Sequence, residues 1–178
     1  MKTKMIIGIL MVMMLSLSGF AGKKEFSEGS WYLTPQVALY KYAPNFGASL
    51  EYALTENIGI GGTLMLAFWS DNAGGYGKIS QTLITPSIDG YYHFTEIDAK
   101  KLDVFAGASL GYSIYSWSWD GPGSNWSDSG ASNLFLGPFA GARYYFNKNT
   151  AAYLNLNFSL IGHWSSVGVV VGVTFKLK

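Results

Sequence analysis

The sequence contains no cysteine, and only 13% of its 178 residues are charged. The lack of cysteine excludes disulfide bonds, thiolate chemistry and a lipid anchor attached to cysteine. The charged fraction is about half the ~25% of an ordinary soluble domain. The 12 basic and 11 acidic residues nearly balance and form no basic stripe, so no nucleic-acid partner is expected.

Long apolar segments are also lacking. After Phe20, no run of the sequence reaches the ~20 apolar residues that a membrane-spanning helix needs. Yet 49% of the residues are hydrophobic and 16% are aromatic. Abundant apolar residues without long apolar runs are typical of a membrane β-barrel, in which alternate side chains of each strand face lipid.

The N-terminal segment has the organisation of a secretory signal peptide. Lys2 and Lys4 precede an apolar run that ends at Phe20, and small residues flank Phe20 at the positions that a signal peptidase reads. A membrane-spanning helix is the alternative, but the run is short for one and polar residues follow it directly. We therefore predict a signal peptide over 1–21 and a single barrel domain over 22–178.

The segment 167–177 shows the clearest strand pattern. Its odd-numbered residues are Val, Phe or Leu, and its even-numbered residues are Gly, Val, Thr or Lys. A strand directs successive side chains to opposite faces, so one face is apolar and the other is small or polar. The small face suits a narrow barrel interior, and lipid is then the natural partner of the apolar face.

Similar alternation along the chain predicts eight strands. Short turn-type clusters separate some of them, and the segments 70–80 and 117–132 are longer. If the N-terminus starts inside, the short turns are periplasmic and the long loops lie outside, as outer-membrane barrels require. The predicted strands lie near 31–42, 46–54, 58–69, 81–94, 101–116, 133–146, 151–164 and 166–177.

A secreted soluble barrel of the lipocalin type, or a soluble sandwich, is the alternative fold. Such a protein would carry its charges on the exterior. Here the charged residues within strands share a face with Gly, Ser, Thr and Tyr, and the opposite face is uncharged. Because a charge facing lipid is costly, we predict an all-β, eight-stranded antiparallel up-and-down transmembrane β-barrel. The charged residues are Glu51, Asp89, Asp103 and Arg143.

The strand-and-turn rhythm of 31–177 and the segment 137–146, GPFAGARYYF, resemble the small outer-membrane β-barrel family of the OmpA/OmpX type. Gly172, Phe175 and Leu177 resemble that family's C-terminal assembly signal, although the chain ends on Lys178. The resemblance implies a monomer in a Gram-negative outer membrane, among lipid and lipopolysaccharide, inserted by the outer-membrane assembly machinery. It implies little about activity.

Arg143 is the only arginine of the chain, and alternation places it inside the barrel with Asp103 and Glu51, in the periplasmic half. A buried guanidinium without a partner is costly, so we expect it to pair with Asp103, Glu51 or both. Eight strands leave little free bore, which favours a polar plug over a gated narrow pore. Other inward-facing polar residues are candidates to extend this lumen network: Asp89, His93 and Gln36.

Aromatic residues near strand ends on the apolar face predict girdles at the two membrane interfaces. They are Trp31, Tyr52, Phe68, Tyr92, Phe94, Tyr144, Phe146 and Trp164. Four other aromatics lie beyond the outer membrane end, at or near the face that continues the lumen. Stacking on a sugar or capping an apolar mouth are functional interpretations, and packing within an extended hairpin is the structural one. These outer-mouth aromatics are Tyr115, Trp117, Trp119 and Trp126.

His163 and Ser165 have the His-x-Ser spacing of the lipid A 3-O-deacylase family, which shares the small barrel shape. A serine nucleophile needs a base and a third group that orients the base. The Asn of that family is Ser166 here, and the strand has no Asp or Glu. We therefore expect no enzymatic activity. No metal or other cofactor is expected either, because His93 and His163 lie on different strands without carboxylate spacing.

These patterns favour a structural or surface-interaction role for an outer-membrane barrel with a plugged lumen. The alternative is a narrow porin-like channel for small or apolar solutes that enter past the outer-mouth aromatics. A lipid A-modifying hydrolase is the third, less favoured hypothesis. The polar segment 23–29 is expected to be a frayed periplasmic lead-in.

Overall fold

A computed structural model describes residues 26–39, 43–72, 77–97, 101–121, 124–128, 133–161 and 167–177. The predicted signal peptide, 1–21, lies outside these residues. Among the described residues, no helix is long and apolar enough to cross a membrane.

The described residues form strands joined by turns. Apolar side chains recur at every second position, which suits a sheet with one apolar face and does not suit the 3.6-residue repeat of a helix. The strands are β1 (Trp31–Leu39), β2 (Pro44–Ala53), β3 (Ile58–Asn72), β4 (Lys78–His93), β5 (Leu102–Gly121), β6 (Ser124–Asp128), β7 (Asn133–Asn147), β8 (Thr150–Phe158) and β9 (Val167–Lys176).

Eight of these strands close into an antiparallel barrel. Neighbours from β1 to β5 pair in chain order, β5 then pairs with β7, and β8 and β9 follow. β9 returns to β1, with Gln36 opposite Gly172, and the Thr34 and Thr174 hydroxyls are 2.9 Å apart across this seam. Closure gives every barrel strand two neighbours, which is how a sheet satisfies its backbone groups in lipid. The predicted fold class is confirmed.

The prediction of long loops over 70–80 and 117–132 is wrong for much of both segments. β3 continues to Asn72 and β4 begins at Lys78. β5 runs on to Gly121, and β6 folds back beside it with Trp119 opposite Trp126. Gly, Ser, Asn and Asp indicated loops because they are frequent in turns, but a hairpin that leaves the barrel can carry polar residues on both faces. We call this extension, 69–72, 78–81, 117–121 and 124–128, the outer flap.

Two other boundaries differ from the prediction. The strand expected over 151–164 ends at Phe158 as β8, after which Ile161 forms an isolated bridge to Leu136. The strand expected over 31–42 ends at Leu39. Residues 162–166 and 40–42 lie outside the described part of the chain.

The two faces of the barrel wall differ as the alternation predicts. In β9, Val171, Val173 and Phe175 are exposed on the exterior, whereas Thr174 is fully buried in the lumen. Large apolar side chains cover the rest of the exterior in the same way. The core of this protein is therefore the inside of the barrel.

The two ends of the barrel also differ. One end, the short-turn end, carries the connections β2–β3, β4–β5 and β7–β8, and the flap end carries the outer flap. Six predicted girdle aromatics lie at the short-turn end in three ring pairs, and Phe68 lies toward the flap end. Trp164 is outside the described residues. The pairs are Trp31–Tyr52, Tyr92–Phe94 and Tyr144–Phe146, with centroids 4.8, 5.3 and 6.0 Å apart.

Candidate functional site: the polar lumen

Arg143 lies inside the barrel on β7, directly opposite Asp103 on β5. It is only 1% exposed. Its Nη2 donates to Glu51 Oε2, and its Nη1 lies 3.5 Å from Asp103 Oδ2. In the closed order of eight strands, β2 and β7 are four strands apart, so the contact between Arg143 and Glu51 spans the lumen.

His93 on β4 joins the two carboxylates. Its Nε2 is 2.8 Å from Glu51 Oε1, and its Nδ1 is 2.6 Å from Asp103 Oδ1. Each carboxylate can accept a hydrogen bond from His93 only if both ring nitrogens carry a hydrogen, and this is the protonated, imidazolium form of the side chain. Two cations then balance two anions. We call Arg143, Glu51, His93 and Asp103 the ionic ring.

Aromatic rings surround the guanidinium of Arg143. Its Cζ lies 5.2 Å from the ring centroid of Phe105, 5.4 Å from that of Tyr32 and 5.7 Å from that of Tyr153. Such contacts stabilise a cation that has lost its water. Strand alternation directs all three aromatics into the barrel, but nothing in the sequence indicates that they face Arg143.

Residues 26–29 of the predicted frayed lead-in close the ionic ring from the short-turn end. The ring of Phe26 stacks on the imidazole of His93 and is 4% exposed. Gly29 N donates to Ala53 O at 2.9 Å, and Ala53 N donates to Ser30 O at 3.0 Å. The expectation of a frayed lead-in is wrong for 26–29, because an apolar ring and backbone bonds hold this segment. Residues 23–25 lie outside the description.

Asp89 and Gln36 do not join the ionic ring, and this corrects the expectation that they extend it. Asp89 accepts hydrogen bonds from Thr63 Oγ1 at 2.6 Å and Ser87 Oγ at 3.0 Å, and Gln36 Nε2 contacts Met65 Sδ at 3.4 Å. Asp89 is four residues from His93 along β4, about 13 Å at ~3.3 Å per residue. A buried layer separates the two levels of the lumen, and it comprises Tyr91, Phe105, Phe139 and Tyr153.

A cavity of about 80 Å³ lies in the lumen on the flap side of this layer. Asp89, Gln36 and Asn155 line it, together with the hydroxyls of Thr63 and Ser87. Asn157 and Ser159 extend the lining of the cavity to the end of β8 and just beyond it. The lumen is therefore filled at the ionic ring and hollow above it.

The outer-mouth aromatics do not form one site. The Tyr115 hydroxyl donates to Gln81 Oε1, and its ring lies 6.1 Å from that of Trp69. These two rings pack against the buried Ala43, Ala67 and Leu83. Trp117 and Trp119 are half-buried on the flap, whereas Trp126 is 67% exposed on β6.

The residues of the predicted assembly signal lie on β9 and just after it. Phe175 and Leu177 point to the exterior, where they are 41% and 57% exposed. Gly172 faces the lumen, where a Cβ would lie only 2.5 Å from Pro35 O of β1. Lys178 lies outside the described residues.

The catalytic candidates, His163 and Ser165, lie outside the described residues. Within the described ranges, no group of three or more His, Asp and Glu side chains is placed to hold a metal ion.

No protein-family model matches the sequence, and no curated protein is significantly similar to it. Solved structures do resemble it. The N-terminal β-barrel domain of Pseudomonas aeruginosa OprF matches with a TM-score of 0.58 and 20% identity, over 84% of this chain and 98% of that one. Ail, the attachment invasion locus protein of Yersinia pestis, gives 0.55 and 12% over 84% and 99%.

The outer membrane protein OprG from Pseudomonas aeruginosa gives a TM-score of 0.56 and 9% identity, over 90% of this chain and 99% of that one. These structures are small outer-membrane β-barrels. The chain therefore has their eight-stranded fold, as the sequence resemblance implied. At such identities the likeness describes the fold alone.

Proposed function

We propose that this protein is a non-conducting, non-catalytic barrel of a Gram-negative outer membrane, with a structural or surface-interaction role. The burial of the ionic ring carries the proposal. Side chains that line an open pore are in contact with water. By contrast, Arg143 and Glu51 are 1% exposed and His93 is fully buried. Charged groups from four strands thus fill the lumen at one level, and Phe26 covers them.

The exterior supports a location in lipid. Ile60, Leu64, Ile88 and Leu110 are between 42% and 64% exposed on consecutive strands of the wall. Contiguous apolar surface of this kind marks contact with a membrane or a partner. The short-turn end, with its aromatic pairs, then faces the periplasm and the flap end faces the medium.

The outer flap is the surface proposed to meet other molecules. Its strands extend the sheet beyond the closed barrel, and Trp126 on β6 is exposed to solvent. We also propose that Phe175 and Leu177, which point outward, are read by the outer-membrane assembly machinery, and that the finished barrel is a monomer among lipid and lipopolysaccharide.

The absence of cysteine allows a direct test of location and orientation. Ser127→Cys lies on the outer flap, and Lys148→Cys lies in the turn between β7 and β8. We expect a membrane-impermeant maleimide to label Ser127→Cys on intact cells and Lys148→Cys only after the outer membrane is opened. Equal labelling of both on intact cells, or recovery of the protein as a soluble species, would contradict the proposal.

Planar-bilayer recordings test the closed lumen. We expect the purified wild-type barrel to give no sustained unitary conductance. A defined conductance that changes in Arg143→Ala would instead support the narrow channel for small or apolar solutes. A lipid A deacylation assay on the same preparation tests the third hypothesis, and activity that Ser165→Ala abolishes would show that the protein is an enzyme.

A further inference from the structure

Asp89 is a buried carboxylate that has no counter-charge among the residues that the structure describes. It is 3% exposed, and among the described residues it accepts hydrogen bonds only from Thr63 and Ser87. Within the described part of the chain, no Lys, Arg or His nitrogen forms an ion pair with it. Burial of an unbalanced charge is expensive, and buried charges are normally paired or bound to an ion.

Two further oxygen atoms beside the same cavity have no hydrogen-bond partner in the described part of the chain. Gln36 and Asn155 are 9% and 6% exposed, and neither Gln36 Oε1 nor Asn155 Oδ1 has a hydrogen-bond partner among the described residues. Their amide nitrogens are engaged, by Met65 Sδ and by the Tyr153 hydroxyl. Buried side-chain acceptors without partners are uncommon and need an explanation.

The cavity between these groups has the size and walls for a small cation. Its volume of about 80 Å³ exceeds the ~10–15 Å³ that a single water needs, so an ion and a few waters fit. Tyr91, Phe135, Phe139 and Tyr153 also line it, and the faces of aromatic rings attract cations.

We propose that this cavity binds a small monovalent cation, either an inorganic ion or the ammonium group of a solute. Asp89 supplies the balancing charge, and Gln36 Oε1 and Asn155 Oδ1 supply neutral oxygen ligands. A single carboxylate balances one positive charge, whereas a divalent ion is held by more charged oxygens. The aromatic layer separates this site from the ionic ring, so cation binding does not depend on the lumen being closed below it.

Thermal unfolding of the folded barrel in detergent tests the proposal. A ligand that binds only the native state raises the unfolding midpoint. Midpoints are compared at constant ionic strength in the chlorides of sodium, potassium, methylammonium and the bulky N-methyl-D-glucammonium. We expect a higher midpoint with at least one small cation than with the bulky one. A shift with sodium or potassium alone identifies an inorganic ion, and a shift with methylammonium identifies an ammonium group.

Asp89→Asn is the decisive variant, because it removes the charge and keeps the shape. We expect it to lose the difference between small and bulky cations, and Asn155→Ala to reduce that difference. Asp120→Asn, which makes the same change at an exposed position of the flap, should keep the full difference. Identical wild-type midpoints in all four salts would overturn the proposal. So would equal cation-dependent shifts in wild type, Asp89→Asn and Asn155→Ala.

Discussion

Phe26 lies against the imidazole of His93, with ring centroids 3.6 Å apart and planes inclined by 13°. Its neighbour Ser27 accepts a hydrogen bond on Oγ from the Lys176 ammonium at 2.7 Å. The backbone N–H of Ser27 donates to the Tyr32 hydroxyl at 2.9 Å. The segment before β1 is thus fixed to the barrel by one buried ring and a few polar contacts. It forms the floor under the ionic ring.

We predict that Phe26→Ala destabilises the barrel. Truncation of a buried phenylalanine costs about 3–5 kcal/mol, and here it also uncovers His93 to water. The urea midpoint of the detergent-folded protein should fall. Glu28→Ala, an exposed position in the same segment, is the matched control and should leave the midpoint unchanged. Equal midpoints for the two variants would show that the stacking contributes nothing.

Arg143→Ala is expected to be among the most damaging lumen substitutions. It leaves Glu51 and Asp103 with only His93 between them, and removal of one partner from a buried ion pair costs about 3–5 kcal/mol. The free energy of unfolding measures the loss. Lys148→Ala, an exposed cation in a turn, should change it little. An unchanged stability of Arg143→Ala would exclude the pairing.

The double variant Arg143→Met with Glu51→Gln examines the same pair in another way. Each single change removes one charge and leaves the ionic ring unbalanced by one charge, whereas the double change removes one charge of each sign and keeps the ring balanced. We therefore expect the double variant to be less destabilised than the sum of the single variants, as groups in direct contact show. Strict additivity would mean that the two residues do not interact.

Gly107 and Gly90 make a matched pair of glycines on neighbouring strands. A Cβ on Gly107 would collide with the carbonyl oxygen of Gly90 and the ring of Phe139, whereas a Cβ on Gly90 has nothing within 4 Å. Overpacking of this kind costs about 1–3 kcal/mol, so Gly107→Ala should lower the urea midpoint and Gly90→Ala should not. Similar urea midpoints for the two variants would indicate that the barrel wall near Gly107 shifts to accommodate the added methyl group at little cost.

Ile88→Lys distinguishes a lipid-facing exterior from a water-facing one. Ile88 is 64% exposed on β4, so in water a lysine there would be harmless. Facing the middle of a bilayer, it should cost about 2–4 kcal/mol. Unfolding from lipid vesicles measures the difference, with Ile88→Met as the apolar control. Equal stability of the two variants would argue against a membrane at this level of the barrel.

Phe175→Ala is expected to impair assembly in cells without impairing folding in detergent. If the outward Phe175 is read during insertion, the variant should reach the outer membrane in smaller amounts yet refold normally when purified. Phe146→Ala removes another outward aromatic of the short-turn end and should assemble like wild type. Normal accumulation of the Phe175→Ala barrel in the outer membrane would contradict the role of Phe175 in the assembly signal.

The sequence by itself determined which side of the wall each residue occupies. Alternation in 167–177 requires one apolar face, and the positions of Glu51, Asp103 and Arg143 on the other face follow from strand geometry alone. Eight alternating segments and short turns were sufficient for the barrel, because a sheet with a continuous apolar exterior satisfies its backbone only by closing.

Only the tertiary structure decided which inward residues meet. Strand register sets the height of each residue along the barrel axis, and it brings Phe105, Phe139 and Tyr153 of other strands against Tyr91, which lies between Asp89 and His93 on β4. Alternation alone cannot reveal this aromatic layer. The sequence led us to expect Arg143 beside Asp103, Glu51 or both, but only the structure places His93 between the two carboxylates. Phe26 was missed for the same reason, since its partner His93 lies on β4 and no local pattern marks a ring that folds back into the barrel.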